Sequence, residues 1–174
     1  MQILQPPRTI LEVWESLPEG TLCQLINNNL IMSPAPKSIH QSILGKIFFE
    51  ISKLLEDNKI GELYIAPFDV YLSKRNIFQP DLVFVANENL HLVEEKGLIG
   101  TPDIVIEILS PSISHIDLGE KRDVYENYGV KECFIVDPNN KKVTSLILEG
   151  KEFKELEETI GNFYSPSLGA TITF

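Results

Sequence analysis

Ile39, Ile43, Ile47, Ile51 and the pair Leu54-Leu55 recur every three or four residues. That spacing puts them on one face of a helix and predicts an amphipathic α-helix from about Ser38 to Asp57, with Ser38 as N-cap. Elsewhere the apolar positions come in short unbroken runs bounded by turn formers, which reads as strands. Leu22 to Ile26 and Leu30 to Met32 flank Asn27-Asn28-Asn29 and predict a hairpin, because asparagine tolerates the left-handed backbone of a tight turn. Leu63 to Leu72 reads as extended. Leu82 to Ala86 follows Gln79-Pro80-Asp81, and proline fits only the start of such a strand, so Asp81 sits at its mouth. The strongest run, Asp103 to Leu109, is Ile/Val-rich as in a strand covered on both faces. A turn at Ser110-Pro111-Ser112 leads to a helix from about His115 to Tyr128, with Ser114 and Asp117 as its capping box and Gly129 as its stop. Cys133 to Val136 is a second buried strand. Val143 to Leu148 and Glu152 to Leu156 form a hairpin across Glu149-Gly150. A short helix from Ile10 to Leu17, capped by Thr9 and Glu12, opens the series. The sum is an α/β (α+β) chain: a mixed β-sheet flanked by helices, with hairpins added near each end.

Composition adds bounds. The 174 residues, 43% hydrophobic and 23% charged, fit one globular domain over 1–174. Cys23 and Cys133 lie in apolar runs without metal-ligand spacing and read as buried thiols of a reducing compartment. No apolar run approaches the roughly 18 residues of a membrane span. Met1 to Arg8 lacks the pattern of a secretion signal, so the expected location is cytoplasmic, with no membrane partner. Fifteen basic against twenty-five acidic residues give a net charge of −10, which disfavours non-specific nucleic-acid binding through a broad basic face. A nucleic-acid enzyme survives that test, because a bound metal ion changes the local field.

The chemistry is carried by polar residues at the edges of apolar segments. Asp103 and Glu107 share a strand face but stand about 13 Å apart, too far to hold one ion. Glu107, near the strand's end, can instead be joined by Asp81 from a neighbouring strand. Two carboxylates so placed suit a hard cation, Mg²⁺ or Mn²⁺, which polarises a phosphoryl oxygen and activates water. Asp117, Lys121 and Tyr125 recur every four residues on the following helix. If that side faces the sheet, the Lys121 ammonium reaches the carboxylates.

Asp81 after Pro80, Glu107 ending an apolar strand, and a nearby lysine resemble the PD-(D/E)XK, or restriction-endonuclease-like, nucleases. The chain departs from their usual pattern: Leu109 stands two residues beyond Glu107 where the lysine is common, and Lys121 would be that lysine moved to the next helix. A narrower resemblance, to the Uma-type family of bacterial endonucleases, covers most of the chain. It rests on Met32-Ser33-Pro34-Ala35-Pro36 with His40, on Gln79-Pro80-Asp81-Leu82, and on Pro102 through Ser112. Asp117, Lys121, Tyr125, Gly129 to Glu132 and Ile135 to Pro138 complete it. Gln24 stands where that family tends to carry Glu, Asn28 and Asn29 where Gly is usual, and Phe134 where Trp is usual. The resemblance implies a restriction-endonuclease-like fold and a DNA-hydrolysing endonuclease using Mg²⁺ or Mn²⁺, RNA remaining open as substrate. Asp81 and Glu107 would be ligands with the Ile108 carbonyl, and Lys121 would assist the attacking water. His40, Asp103, Asp117 and Tyr125 would support them. A homodimer is expected by fold analogy alone.

Plainer readings stand beside these. Asp103 serves equally to cap its strand, Asp117 to complete a capping box, Tyr125 to pack its helix and His40 as a partly buried histidine. The acidic balance and the displaced lysine also suit a catalytically inactive nuclease-fold module that binds nucleic acid or protein.

Overall fold

The computed structural model describes residues 9–18, 20–110 and 116–174, and of 116–118 only the helical backbone. The expectations for Met1 to Arg8, Pro111, Ser112, Ser114 and His115 therefore lie outside the described residues.

Helix α1 (Ile10–Glu15) starts where expected, with Thr9 Oγ1 accepting the Glu12 N–H at 3.1 Å. Strands β1 (Cys23–Ile26) and β2 (Asn29–Met32) form the predicted hairpin. Asn27 and Asn28 take φ of 48° and 68°, the pair of left-handed residues that lets a two-residue turn follow the strand twist. Helix α2 (Ser38–Asn58) buries Ile43, Leu44, Ile47 and Ile51, each worth about 1.5–3 kcal/mol of apolar burial. One detail differs from expectation. Ser38 is the first helical residue, and the N-cap is Lys37, whose side chain makes no capping bond because an ammonium has no acceptor.

The extended run at Leu63 to Leu72 divides into β3 (Gly61–Ile65) and β4 (Val70–Ser73), separated by a cis Ala66-Pro67 bond. The two halves enter different sheets. Then follow β5 (Asn76–Phe78), β6 (Leu82–Ala86), β7 (Val93–Glu94), β8 (Gly97–Leu98) and β9 (Ile104–Ile108). Helix α3 (Ile116–Tyr128) leads to β10 (Glu132–Val136), β11 (Lys142–Glu149), β12 (Glu152–Glu155), β13 (Thr159–Ile160), β14 (Asn162–Ser165) and β15 (Ala170–Thr173).

The central sheet has the order β12-β11-β10-β9-β6-β3, with β13 also on β11. Its parallel pair, β9 and β10, is joined through α3, since parallel neighbours need a crossover rather than a turn. A second sheet, β2-β1-β5-β4-β8-β7, gathers the N-terminal hairpin and the short strands, and β14–β15 pair separately.

Two apolar layers sandwich the central sheet. Ile104, Ile106 and Ile108 face α2 together with Leu82, Phe84, Phe134 and the C-terminal residues Phe163 and Ile172. Val105 faces the opposite layer with Val83, Val124, Tyr125 and Cys133. Burial on both faces explains why β9 has no polar alternation, apart from Glu107. Cys23 lies in the N-terminal sheet and Cys133 in the central one, both buried as free thiols. Burial pushes both thiol pKa values up. Glu132, 2% exposed, accepts the Ser165 hydroxyl at 2.5 Å and the Ser167 N–H at 2.6 Å, tying the β14–β15 hairpin to the sheet. No described helix is long and apolar enough to cross a membrane.

Candidate active site

Register brings the acids together. Leu82 of β6 lies opposite Ile106 of β9, so Asp81, one residue before β6, arrives beside the end of β9. Within β9 the side chains alternate, and Glu107 shares the α3 face with Val105. Helix α3 turns Lys121, Val124 and Tyr125 inward, all buried. Lys121 Nζ lies 3.1 Å from Glu107 Oε1, and the Tyr125 hydroxyl donates to the same oxygen at 2.6 Å. Burial pushes the Glu107 pKa up, the Lys121 charge pulls it down, the Asp81 charge raises it again, and the net direction is upward.

Asp81 is held from two sides. Its Oδ2 accepts the Ile108 N–H at 2.7 Å and lies 3.2 Å from His40 Nε2. Burial would lower the His40 pKa, but the Asp81 carboxylate and the Ile108 carbonyl outweigh it and hold it above the ordinary value. His40 Nδ1 is buried without a hydrogen-bond partner among the described residues.

The oxygen donors left over fit a hard divalent cation. The bonds described above use Asp81 Oδ2 and Glu107 Oε1, leaving Asp81 Oδ1 and Glu107 Oε2 without a hydrogen-bond partner among the described residues. In a strand the N–H and C=O of one residue project to the same side. The Ile108 N–H points at Asp81, so its carbonyl faces that side as well. Among the described residues no three His, Cys, Asp or Glu side chains form a closed metal cage. Two carboxylates and a carbonyl are what Mg²⁺ or Mn²⁺ accepts while keeping several waters.

These groups form the floor of a cleft of about 410 Å³. Ile108, Leu109 and Ser110 bring the carboxyl end of β9 into its lining, and ligands of α/β sheets commonly bind at such strand ends. Its walls come from the β1–β2 hairpin and the segment leaving it, from the cis Ala66-Pro67 corner, and from the start of α2. Gln24, also in the lining, is buried. Its Oε1 accepts the Gln79 N–H at 3.1 Å and its Nε2 donates to Ser33 Oγ at 3.2 Å. Gln79 Nε2 in turn donates to Asp69 Oδ1 at 2.8 Å. This chain of amides steadies the Gln79-Pro80-Asp81 segment. Sequence reasoning singled out Gln24 only as a departure from a pattern. A glutamine inside the apolar run of β1 was the available signal for it, but its partner Gln79 lies 55 residues away.

Asp103 falls outside this constellation. Asp103 stands at the far end of β9, 1% exposed on its side chain. It accepts the Ala86 N–H at 2.7 Å and the Asn89 amide, and lies 2.7 Å from Lys131 Nζ. Asp117 lies in the first turn of α3, and its side chain is outside the described residues.

Asp103 carries a pH prediction. Burial would raise its pKa, but Lys131, the Ala86 N–H and Asn89 outweigh it and lower it. A depressed carboxyl pKa stabilises the fold above the unfolded value of about 3.9, and the contribution is lost as pH falls through the folded value. Wild type should therefore lose more thermal stability than Asp103→Asn on going from neutral pH to about pH 3. Parallel melting curves check this, and equal losses would refute it.

A sequence profile of the Uma2 family, described as "Putative restriction endonuclease", matches residues 10–169. The chain is also similar to a solved structure titled "a putative nuclease belonging to DUF820", from Anabaena variabilis. The TM-score is 0.76 at 18% identity, over 94% of this chain and 92% of the other, and that likeness speaks for the fold. No curated protein matches the chain significantly.

Proposed function

The chain belongs to the Uma2 family, and from that premise we propose that it is a metal-dependent endonuclease hydrolysing DNA phosphodiester bonds. What carries the reading is that Asp81, Glu107 and Lys121 line one cleft although they come from the residue before β6, from β9 and from α3.

Asp81, Glu107 and the Ile108 carbonyl would hold Mg²⁺ or Mn²⁺. When bound, the ion supplies Lewis acidity and lowers the pKa of its water. The protein's own groups do the rest. Lys121, one hydrogen bond from Glu107, orients the attacking water and stabilises charge developing on the phosphoryl oxygens. Tyr125 fixes the Glu107 carboxylate on Oε1. His40 and the Ile108 N–H fix Asp81 on Oδ2, which would leave its other oxygen for the ion.

The test is cleavage of supercoiled plasmid in Mn²⁺, with and without chelator, by wild type and Asp81→Ala. Nicking that needs both metal and Asp81 is the expected result. Activity that survives the chelator or the substitution would sink the assignment. Nucleic-acid binding without any cleavage would favour the inactive module instead.

A further inference from the structure

The floor of the cleft is recessed. Glu107 and Lys121 are 8% and 5% exposed, and His40 beside Asp81 is 6% exposed. A scissile phosphate must therefore descend into the cleft rather than be met at its mouth. In a relaxed duplex the phosphates lie on a ridge tied to a paired strand, and proteins hold that ridge with several cations. This cleft supplies little of that. Among the described lining residues Lys121 is the one lysine or arginine, and it is paired with Glu107. The chain's net charge of −10 adds no general attraction.

The walls suit something else. Leu22, Pro34, Pro36, Leu44, Ala66 and Pro67 give the cleft's lining an apolar part. Enzymes that take up an unstacked base hold it between apolar or aromatic side chains and read its edge by hydrogen bonds. Gln41, exposed at the start of α2 and part of the lining, offers an amide for that. About 410 Å³ is also within the roughly 300–1,000 Å³ that encloses a small organic ligand, a range suited to one nucleotide but not to a duplex.

We propose that the cleft admits one unstacked nucleotide at a time, so that the substrate is single-stranded DNA, or duplex DNA only where it is locally unpaired. This deepens the nuclease reading and rests on it. It implies that supercoiled plasmid, which offers unpaired stretches, is cut faster than the same sequence as relaxed linear duplex.

The experiment has two readouts. Fluorescence anisotropy of a short labelled DNA strand, alone and annealed to its complement, measures binding to the full chain in Ca²⁺. Cleavage of both forms in Mn²⁺ measures turnover. The expected result is binding of the single strand about tenfold or more tighter than the duplex, weakened by Gln41→Glu and by Leu22→Glu. The exposed Gln41 site guards against misfolding, and circular dichroism checks both variants. Equal or tighter duplex binding, or binding of neither form, overturns the inference. Metal-dependent cleavage of the duplex without preference would overturn it too, while sparing the nuclease reading. Cleavage of neither form would sink that reading, with anisotropy still deciding what the cleft admits.

Discussion

Replacing Lys121 with methionine should lower metal-dependent cleavage by about a hundred- to a thousandfold and destabilise the protein by about 3–5 kcal/mol. The two effects have one origin. Lys121 and Glu107 are a buried ion pair at 3.1 Å with side chains 7% and 11% exposed. Removing the lysine leaves a buried carboxylate whose remaining hydrogen-bond partner among the described residues is the Tyr125 hydroxyl. Removing both charges relieves that penalty. A Glu107→Gln/Lys121→Met double variant keeps an acceptor for Tyr125 and loses the unpaired charge. It should recover most of the lost stability, or exceed wild type, while remaining inactive. Urea denaturation of the four proteins in the cycle, beside plasmid cleavage, decides the matter. A double variant as unstable as Lys121→Met would show that the pair contributes more than its own compensation. An active Lys121→Met would remove the lysine from the chemistry.

The second large effect is far from the cleft. Glu132→Ala should cost about 2–5 kcal/mol, because it leaves the Ser165 hydroxyl and the Ser167 N–H without their acceptor. Those two bonds hold a hairpin whose Phe163, Ile172 and Phe174 close the apolar layer under α2. At about 2–4 °C per kcal/mol for a chain of this size, the melting temperature should fall by about 4–20 °C. Glu132→Gln keeps one acceptor oxygen and should fall less. A Glu132→Ala protein that melts with wild type would mean that apolar packing alone secures the hairpin.

These two residues also show what the sequence could and could not reveal. Lys121 could be read because its signal is local. The spacing Lys121–Tyr125 defines a helix face, and the Ile/Val run before it defines a buried strand, so one assumption about which side packs inward completes the site. The Asn27–Asn28 turn and α2 were legible for the same reason, each resting on a pattern within a few residues. Glu132 gave no such signal. Its partners lie 33 and 35 residues away, and a glutamate at the start of a strand ordinarily faces water. Asp103 was ambiguous likewise, since Lys131 and Asn89 become its partners only through the fold. Strands β7 and β8 have two residues each, too few to carry a period, so the extent of the N-terminal sheet stayed hidden. Within the site, the roles of His40 and Tyr125 as holders of Asp81 and Glu107 required the tertiary contacts.

The two cysteines give the molecule an internal pair of clocks. A thiol reacts with an alkylating or disulfide reagent as its thiolate and only where reagent can reach it, and here burial denies both conditions at each site. Modification must wait for the surrounding structure to open, so its rate reports that opening. Cys23 reports on the N-terminal sheet and Cys133 on the strand beside β9. Equal labelling rates would mean that the two sheets come apart as one unit. Faster labelling of Cys23 would mean that the wall of the cleft opens while its floor stays folded.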